Sequence, residues 1–194
     1  MTREIERCQA AVDLALAGRN VTVVSTGDPG VYGMAGLVLE LLAEADPDGK
    51  VAVEIVPGVS AVHAAASLLG APLMTDFAVV SLSDLLTPWE TIRTRLEGAG
   101  AGDFVVALYN PRSRKRVRHL EEACDILAKH RPGDTPAGIV RNALREGQDV
   151  VLTTLAGVPS CFVDMMSVVI VGNRATRRLA GRLVTPRGYP LAED

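Results

Sequence analysis

Apolar positions in the first third of the chain alternate between short continuous runs and stretches with helical spacing. The runs Val21–Val24 and Val51–Val56 predict strands at 21–26 and 51–56. The spacing at 3–18, 31–45 and 59–69 predicts helices. Such alternation implies parallel strands joined by helical crossovers. Gly70-Ala-Pro-Leu-Met-Thr-Asp76 then interrupts the pattern and marks a domain boundary. Beyond it the sequence predicts a strand at 77–82, a helix at 88–98, a strand at 103–109, a helix at about 114–130 and a strand at 136–141. Two further strand-like runs, 149–154 and 167–171, are separated by a short, partly helical connection, which allows an antiparallel or mixed sheet. The expected architecture is therefore two α/β domains, 1–75 and 76–194, with a cleft between them.

Composition narrows the class without identifying the chemistry. A chain of 194 residues that is 48% apolar can bury a substantial core. The net charge of -3 argues against a nucleic-acid binder. No apolar run approaches the ~20 residues that span a bilayer, and the polar start Met1-Thr-Arg-Glu-Ile-Glu-Arg7 is unlike a signal peptide, so a cytoplasmic location without membrane partners is expected. Cys8, Cys124 and Cys161 are far apart and form no Cys-x-x-Cys pair. With three scattered histidines, neither a disulfide framework nor a protein-bound metal is expected.

The chemistry is carried by Ser25-Thr-Gly-Asp-Pro-Gly-Val-Tyr-Gly-Met34, which follows the first strand run and leads into the helix at 31–45. A strand, a tight glycine turn and a helix start in that order build a ligand cradle at the carboxyl edge of a parallel sheet. Four more segments follow in order: Pro57-Gly-Val-Ser-Ala61, Ser81-Leu-Ser-Asp-Leu-Leu-Thr-Pro-Trp89, Ala107-Leu-Tyr-Asn-Pro-Arg-Ser-Arg-Lys-Arg116 and Val163-Asp-Met-Met-Ser-Val-Val-Ile-Val-Gly-Asn173. Together they resemble the tetrapyrrole methylases that use S-adenosyl-L-methionine. Within that family they resemble the group that methylates ring carbon 17 of precorrin-3B, with ring contraction to precorrin-4, in cobalamin synthesis. The alternative substrate is a cobalt-containing factor III.

The resemblance implies a site residue by residue. Thr26, Gly27 and Asp28, with Val31 and Tyr32, form one wall of the cofactor site. Gly27 and Gly30 leave it unobstructed, while Asp28 either holds the amino-acid end of the cofactor or caps the following helix. Ser60 and Ala61 match a small pair at the next helix start, where Ser60 offers a hydroxyl or a cap. Tyr109 and Asn110, Asn142 and Ala143, and Thr154 and Leu155 match further cofactor-lining positions at strand ends, expected on one sheet edge. Methyl transfer from a sulfonium to carbon requires positioning and exclusion of water rather than a metal or a triad. The family is also homodimeric, and the stretches 155–163 and 165–171 are candidates for an interface.

Substrate contacts are expected from Arg112, Arg114 and Arg116. Cations in the first turn of a helix oppose its dipole, and guanidinium groups hold the carboxylates of a tetrapyrrole bidentately. Ser81 and Ser83 face the expected cleft, with Asp84 as the candidate catalytic group near the reacting ring. His63, on an alanine-rich helix, reads as a packed side chain.

The amino terminus departs from the family pattern. Relatives open with a strand ending in a glycine- and proline-rich turn, whereas this chain starts at a helix. The expectation is a truncated first domain, either a less stable enzyme or a non-catalytic remnant, whose two strands leave polar backbone edges unpaired.

Overall fold

The computed structural model describes residues 3–190. The chain forms two compact units, the first ending at Ala61 and the second starting at Val62.

In the first unit, α1 (Glu4–Leu16) packs against α2 (Ala35–Ala45) through buried side chains that include Cys8, Val12 and Leu42. Glu4 and Glu6 in the first turn of α1 complement its dipole. Gly18 ends the helix, in the left-handed region at φ 78°. The strands expected at 21–26 and 51–56 do not form. Residues 21–25 and 52–60 run without turn or bend, yet they belong to no ladder. A β-prone run becomes a strand only with a neighbour about 4.8 Å away, and neither run has one among the described residues. Their side chains stay open to solvent, with Val24 82% and Val56 68% exposed.

The second unit starts with α3 (Ala61–Leu69) and the two-residue strand β1 (Gly70–Ala71). Its main sheet comprises β2 (Phe77–Ser81), β3 (Val105–Tyr109), β4 (Pro136–Arg141), β5 (Asp149–Thr154) and β6 (Ser167–Val171), in the order β2-β3-β6-β4-β5. β2 and β3 are parallel and are joined by α4 (Trp89–Ala101). β6 is antiparallel to both β3 and β4, and β5 is antiparallel to β4. The mixed sheet expected from the sequence is therefore present. Every residue of β6 is buried, which explains its uninterrupted apolar sequence.

One sheet face carries α4, α5 (His119–Ala128) and the 3₁₀ helix Leu155–Ser160, with Ile92, Leu96, Leu120, Leu127 and Leu155 in the core. Leu69 of α3 reaches Gly138 of β4. Because α3 and the 70–76 turn pack with this unit, the compact units part at Ala61/Val62, whereas the sequence pattern places a boundary at 75/76.

A second sheet, not expected from the sequence, joins β1 to β8 (Arg182–Val184) and β7 (Arg177–Leu179). Its hairpin turns on Ala180 and Gly181, with φ 47° and 72°, as a two-residue connection matched to strand twist requires. The basic run also differs from expectation. α5 starts at His119, and residues 112–118 form a loop in which Arg116 N–H donates to Ser113 Oγ at 3.1 Å. The turn replaces a helical start that clustered cations would oppose. His63 is exposed rather than packed, with its ring edge-on to Phe77 at 6.2 Å. Among the described residues, no helix is long and apolar enough to cross a membrane.

A Cβ at Gly138 would overlap the fully buried Leu69 side chain. Gly138→Ala is expected to destabilise the second unit by about 1–3 kcal/mol. Combination with Leu69→Ala is expected to cost less than the sum of the two changes in urea unfolding.

Candidate functional site

Two glycine turns in the first unit meet at Asp28. Its Oδ1 accepts from Gly30 N–H at 2.8 Å and its Oδ2 from Gly58 N–H at 3.1 Å, thirty residues on. The second turn admits no side chain at the meeting point, because a Cβ on Gly58 would strike the Gly27 carbonyl. Gly27 is itself left-handed at φ 81°. Asp28 therefore braces two loops and does not cap α2, which starts seven residues later with Met34 at its N-cap. Tyr32 is also left-handed at φ 53°, a conformation that costs a non-glycine residue about 1 kcal/mol. Tyr32 is 56% exposed beside Val31, while Ser60 is buried just before α3. Thr26, Val31 and Tyr32 border the joined turns in sequence.

In the second unit β2, β3 and β4 point the same way, so their carboxyl ends lie along one sheet edge. Asn110 and Asn142 follow β3 and β4 and are both left-handed, at φ 50° and 47°, where asparagine is tolerated best after glycine. Asn110 Nδ2 donates to Ser81 Oγ at 2.9 Å, and Ser83 N–H donates to the same oxygen at 3.2 Å. Arg116 extends this network to Ser83 Oγ at 3.2 Å, the Asn110 carbonyl at 3.4 Å and Met165 Sδ at 3.3 Å. The Tyr109 hydroxyl accepts from Val62 N–H at 2.7 Å, satisfying a free amide at the start of α3. Asn142 Nδ2 closes its own turn on the Gly147 carbonyl at 3.3 Å, next to half-buried Ala143.

The edge thus brings together Ser81, Ser83, Tyr109, Asn110, Arg116, Asn142 and Ala143. It does not include Thr154 and Leu155, contrary to the expectation of one shared edge. β5 runs backwards, so Thr154 pairs with Pro136 at the opposite edge. There its hydroxyl caps the 3₁₀ helix, and Leu155 is core. Arg112 is held by Glu121 at 2.9 Å, whereas exposed Arg114 has no hydrogen bond or ion pair among the described residues. Asp84 contacts His119 Nε2 at 3.1 Å, and that imidazole lies against Trp89 at 4.2 Å between centroids, its plane tilted by 56°.

The sequence reading missed the cluster that closes this edge. Arg141 Nε donates to Asp164 Oδ2 at 2.8 Å, and Asp164 Oδ1 accepts from Met166 N–H and Ser167 Oγ, each at 2.9 Å. Burial alone would raise the Asp164 carboxyl, but the bonds from Arg141, Met166 and Ser167 hold it below its ordinary value. Its signal was the Asp-x-x-Ser spacing ahead of β6, a local side-chain turn. Leu85 and Leu86, 82% and 93% exposed beside Asp84, were also overlooked.

The profile for Tetrapyrrole (Corrin/Porphyrin) Methylases matches residues 2–159, and the chain belongs to that family. It is 55% identical over 191 residues, covering 98% of this chain and 78% of the other, to a protein of Salmonella typhimurium named "Probable cobalt-factor III C(17)-methyltransferase". A Priestia megaterium protein named "Cobalt-factor III methyltransferase" is 49% identical, over 97% of this chain and 35% of its own length. The crystal structure of the methyltransferase CobJ superposes with a TM-score of 0.87 at 39% identity, over 94% of this chain and 77% of that one.

The depressed Asp164 carboxyl stabilises the fold above its unfolded value of about 3.9, and that contribution is lost as pH falls through the lower folded value. Asp164→Asn is accordingly expected to be less stable than wild type at pH 7. The gap should narrow below about pH 4 in urea unfolding across pH.

Proposed function

We propose that this chain transfers a methyl group from S-adenosyl-L-methionine to ring carbon 17 of a corrin precursor in cobalamin synthesis. The observation that carries the proposal is the close meeting of two glycine turns at Asp28, where Gly58 abuts the Gly27 carbonyl with no room for a side chain. A ligand with a charged amino-acid end and a flat base needs such close backbone approach. The cofactor supplies an activated methyl on a sulfonium. The residues have to hold it, align it with the acceptor carbon and keep water out.

Asp28 contributes by fixing the two turns, since both its oxygens are committed to backbone N–H groups. Asn110 and Asn142 contribute backbone and amide groups at the sheet edge. Arg114, which has no partner among the described residues, takes a substrate carboxylate, whereas Arg112 and Arg116 hold the loop in shape. Asp84, oriented by His119, stands beside the two open leucines and provides a polar group near the ring. Both precorrin-3B and its cobalt-containing counterpart fit this assignment, and the names of the two relatives favour the latter. The working form is a homodimer in the cytoplasm.

Titration calorimetry with S-adenosylhomocysteine is expected to give micromolar binding, reduced about tenfold or more by Asp28→Ala. No binding by the folded chain would overturn the assignment and favour a non-catalytic remnant. With turnover established on either substrate, Arg114→Ala is expected to raise KM and leave kcat nearly unchanged.

A further inference from the structure

Strands β2 and β3 are parallel neighbours, so the loops that leave their carboxyl ends, 82–88 and 110–118, start side by side on one edge of the sheet. The first loop is pinned at its base by Leu82, which is fully buried and whose N–H donates to the Tyr109 carbonyl at 2.9 Å. Just past its far end Trp89 is held by Glu122, to whose Oε2 its indole N–H donates at 2.8 Å. Between these anchors Leu85 and Leu86 are 82% and 93% exposed. A loop tied down at both ends thus holds two adjacent leucines out in solvent, where their apolar surface is unfavourable until something covers it.

The second loop offers charge instead. Arg114, Lys115 and Arg118 are exposed, and their side chains have no hydrogen bond or ion pair among the described residues. Two bridges join the loops, one from Arg116 to Ser83 Oγ at 3.2 Å and one between His119 Nε2 and Asp84 Oδ2 at 3.1 Å. They fix the apolar tip of one loop relative to the free cations of the other. Arg116 Nε and His119 Nδ1 are buried without a partner among the described residues, so hydrogen-bonding capacity remains unspent at the seam. An apolar tip beside a cationic loop complements a ligand with a flat apolar face and an anionic rim. Of the two molecules in the proposed reaction, only the acceptor macrocycle has both, since the cofactor carries its activating charge as a cation.

We infer that Leu85 and Leu86 seat the flat face of the acceptor macrocycle while Arg114, Lys115 and Arg118 take carboxylates at its rim. The inference rests on the methyl-transfer reading and adds to it the residues that select the acceptor. His119 is a positioning residue here, because it acts on the seat through Asp84. Selection then has two requirements. A polyanion satisfies the cationic loop alone, whereas a flat carboxylated ring satisfies both loops at once.

The test is binding of uroporphyrin III, a tetrapyrrole octacarboxylate, to the 194-residue chain, read by the shift of its Soret band and by quenching of Trp89, the one tryptophan in the sequence. Leu85→Ser combined with Leu86→Ser changes exposed positions only, so melting temperature and S-adenosylhomocysteine affinity are expected to stay as in wild type. Uroporphyrin affinity is expected to fall about tenfold or more in that variant. Octa-aspartate, a polyanion without a flat face, is expected to compete about tenfold more weakly than uroporphyrin itself. His119→Ala should lower uroporphyrin affinity, and His119→Gln, whose amide keeps a donor for Asp84, should recover most of it. No uroporphyrin binding by wild type, unchanged affinity in the leucine variant, or equal competition by octa-aspartate would overturn the seat. A parallel fall in S-adenosylhomocysteine affinity would put the leucines on the cofactor and overturn it as well, and a concentration-dependent dimer abolished by the variant would assign them to a second copy. Failure of His119→Gln to recover binding would overturn the positioning role. All of these outcomes leave the methyl-transfer reading standing, since that reading fails when the folded wild-type chain binds no S-adenosylhomocysteine.

Discussion

The second unit depends on β6 lying antiparallel between β3 and β4. Two reversals cancel, so β3 and β4 point the same way although neither touches the other. This single insertion brings Asn110 and Asn142 to one edge, and β2 adds Ser81 through its parallel pairing with β3. β6 can occupy that place because its five residues, Ser167–Val171, are buried throughout and need no polar face. Its entry is fixed by Asp164, which gathers Arg141 from the neighbouring strand with its own downstream amides. The turn that starts the central strand and the polar edge of the site are thus one cluster.

Polar groups in the two candidate sites mostly hold backbone in place. Asp28 spends both oxygens on the glycine turns, Tyr109 on α3, Asn110 on Ser81, and Arg116 on a serine, a carbonyl and a methionine sulfur. Left-handed Tyr32, Asn110 and Asn142 add conformations that persist only where the surroundings enforce them. A reaction whose donor is already activated requires this kind of rigidity more than it requires an acid or a base.

Strands β4, β5 and β6 were legible to the residue, because continuous apolar runs bounded by polar turns leave little freedom once both faces are buried. The same reasoning placed strands at 21–26 and 51–56, where the composition is equally β-prone, but composition encodes the preference and pairing supplies the structure. In the candidate site, what residue type made legible was left-handed backbone, as at Gly27, Asn110 and Asn142. Thr154 and Leu155 misled because strand direction, not proximity to a strand end, decides the edge. The hairpin Arg177–Val184 escaped notice because its arginines mask a two-residue turn that strands need and helices do not. Asp164 escaped because its role is conferred by Arg141, more than twenty residues earlier.

Arg131 stands apart from all of this chemistry. It is 3% exposed, and its guanidinium donates to the carbonyls of Phe104 at 2.9 Å and Ala99 at 3.5 Å, and to that of Gly172. Those carbonyls belong to the end of α4, the approach to β3 and the exit of β6, so one side chain ties three separately folded stretches together on the side away from the site. Lysine carries the same charge but only a single nitrogen, which cannot bridge three acceptors from one planar fork. The fold therefore has a keystone whose chemical identity is fixed by geometry, and the segments it joins are set to come apart together rather than one at a time.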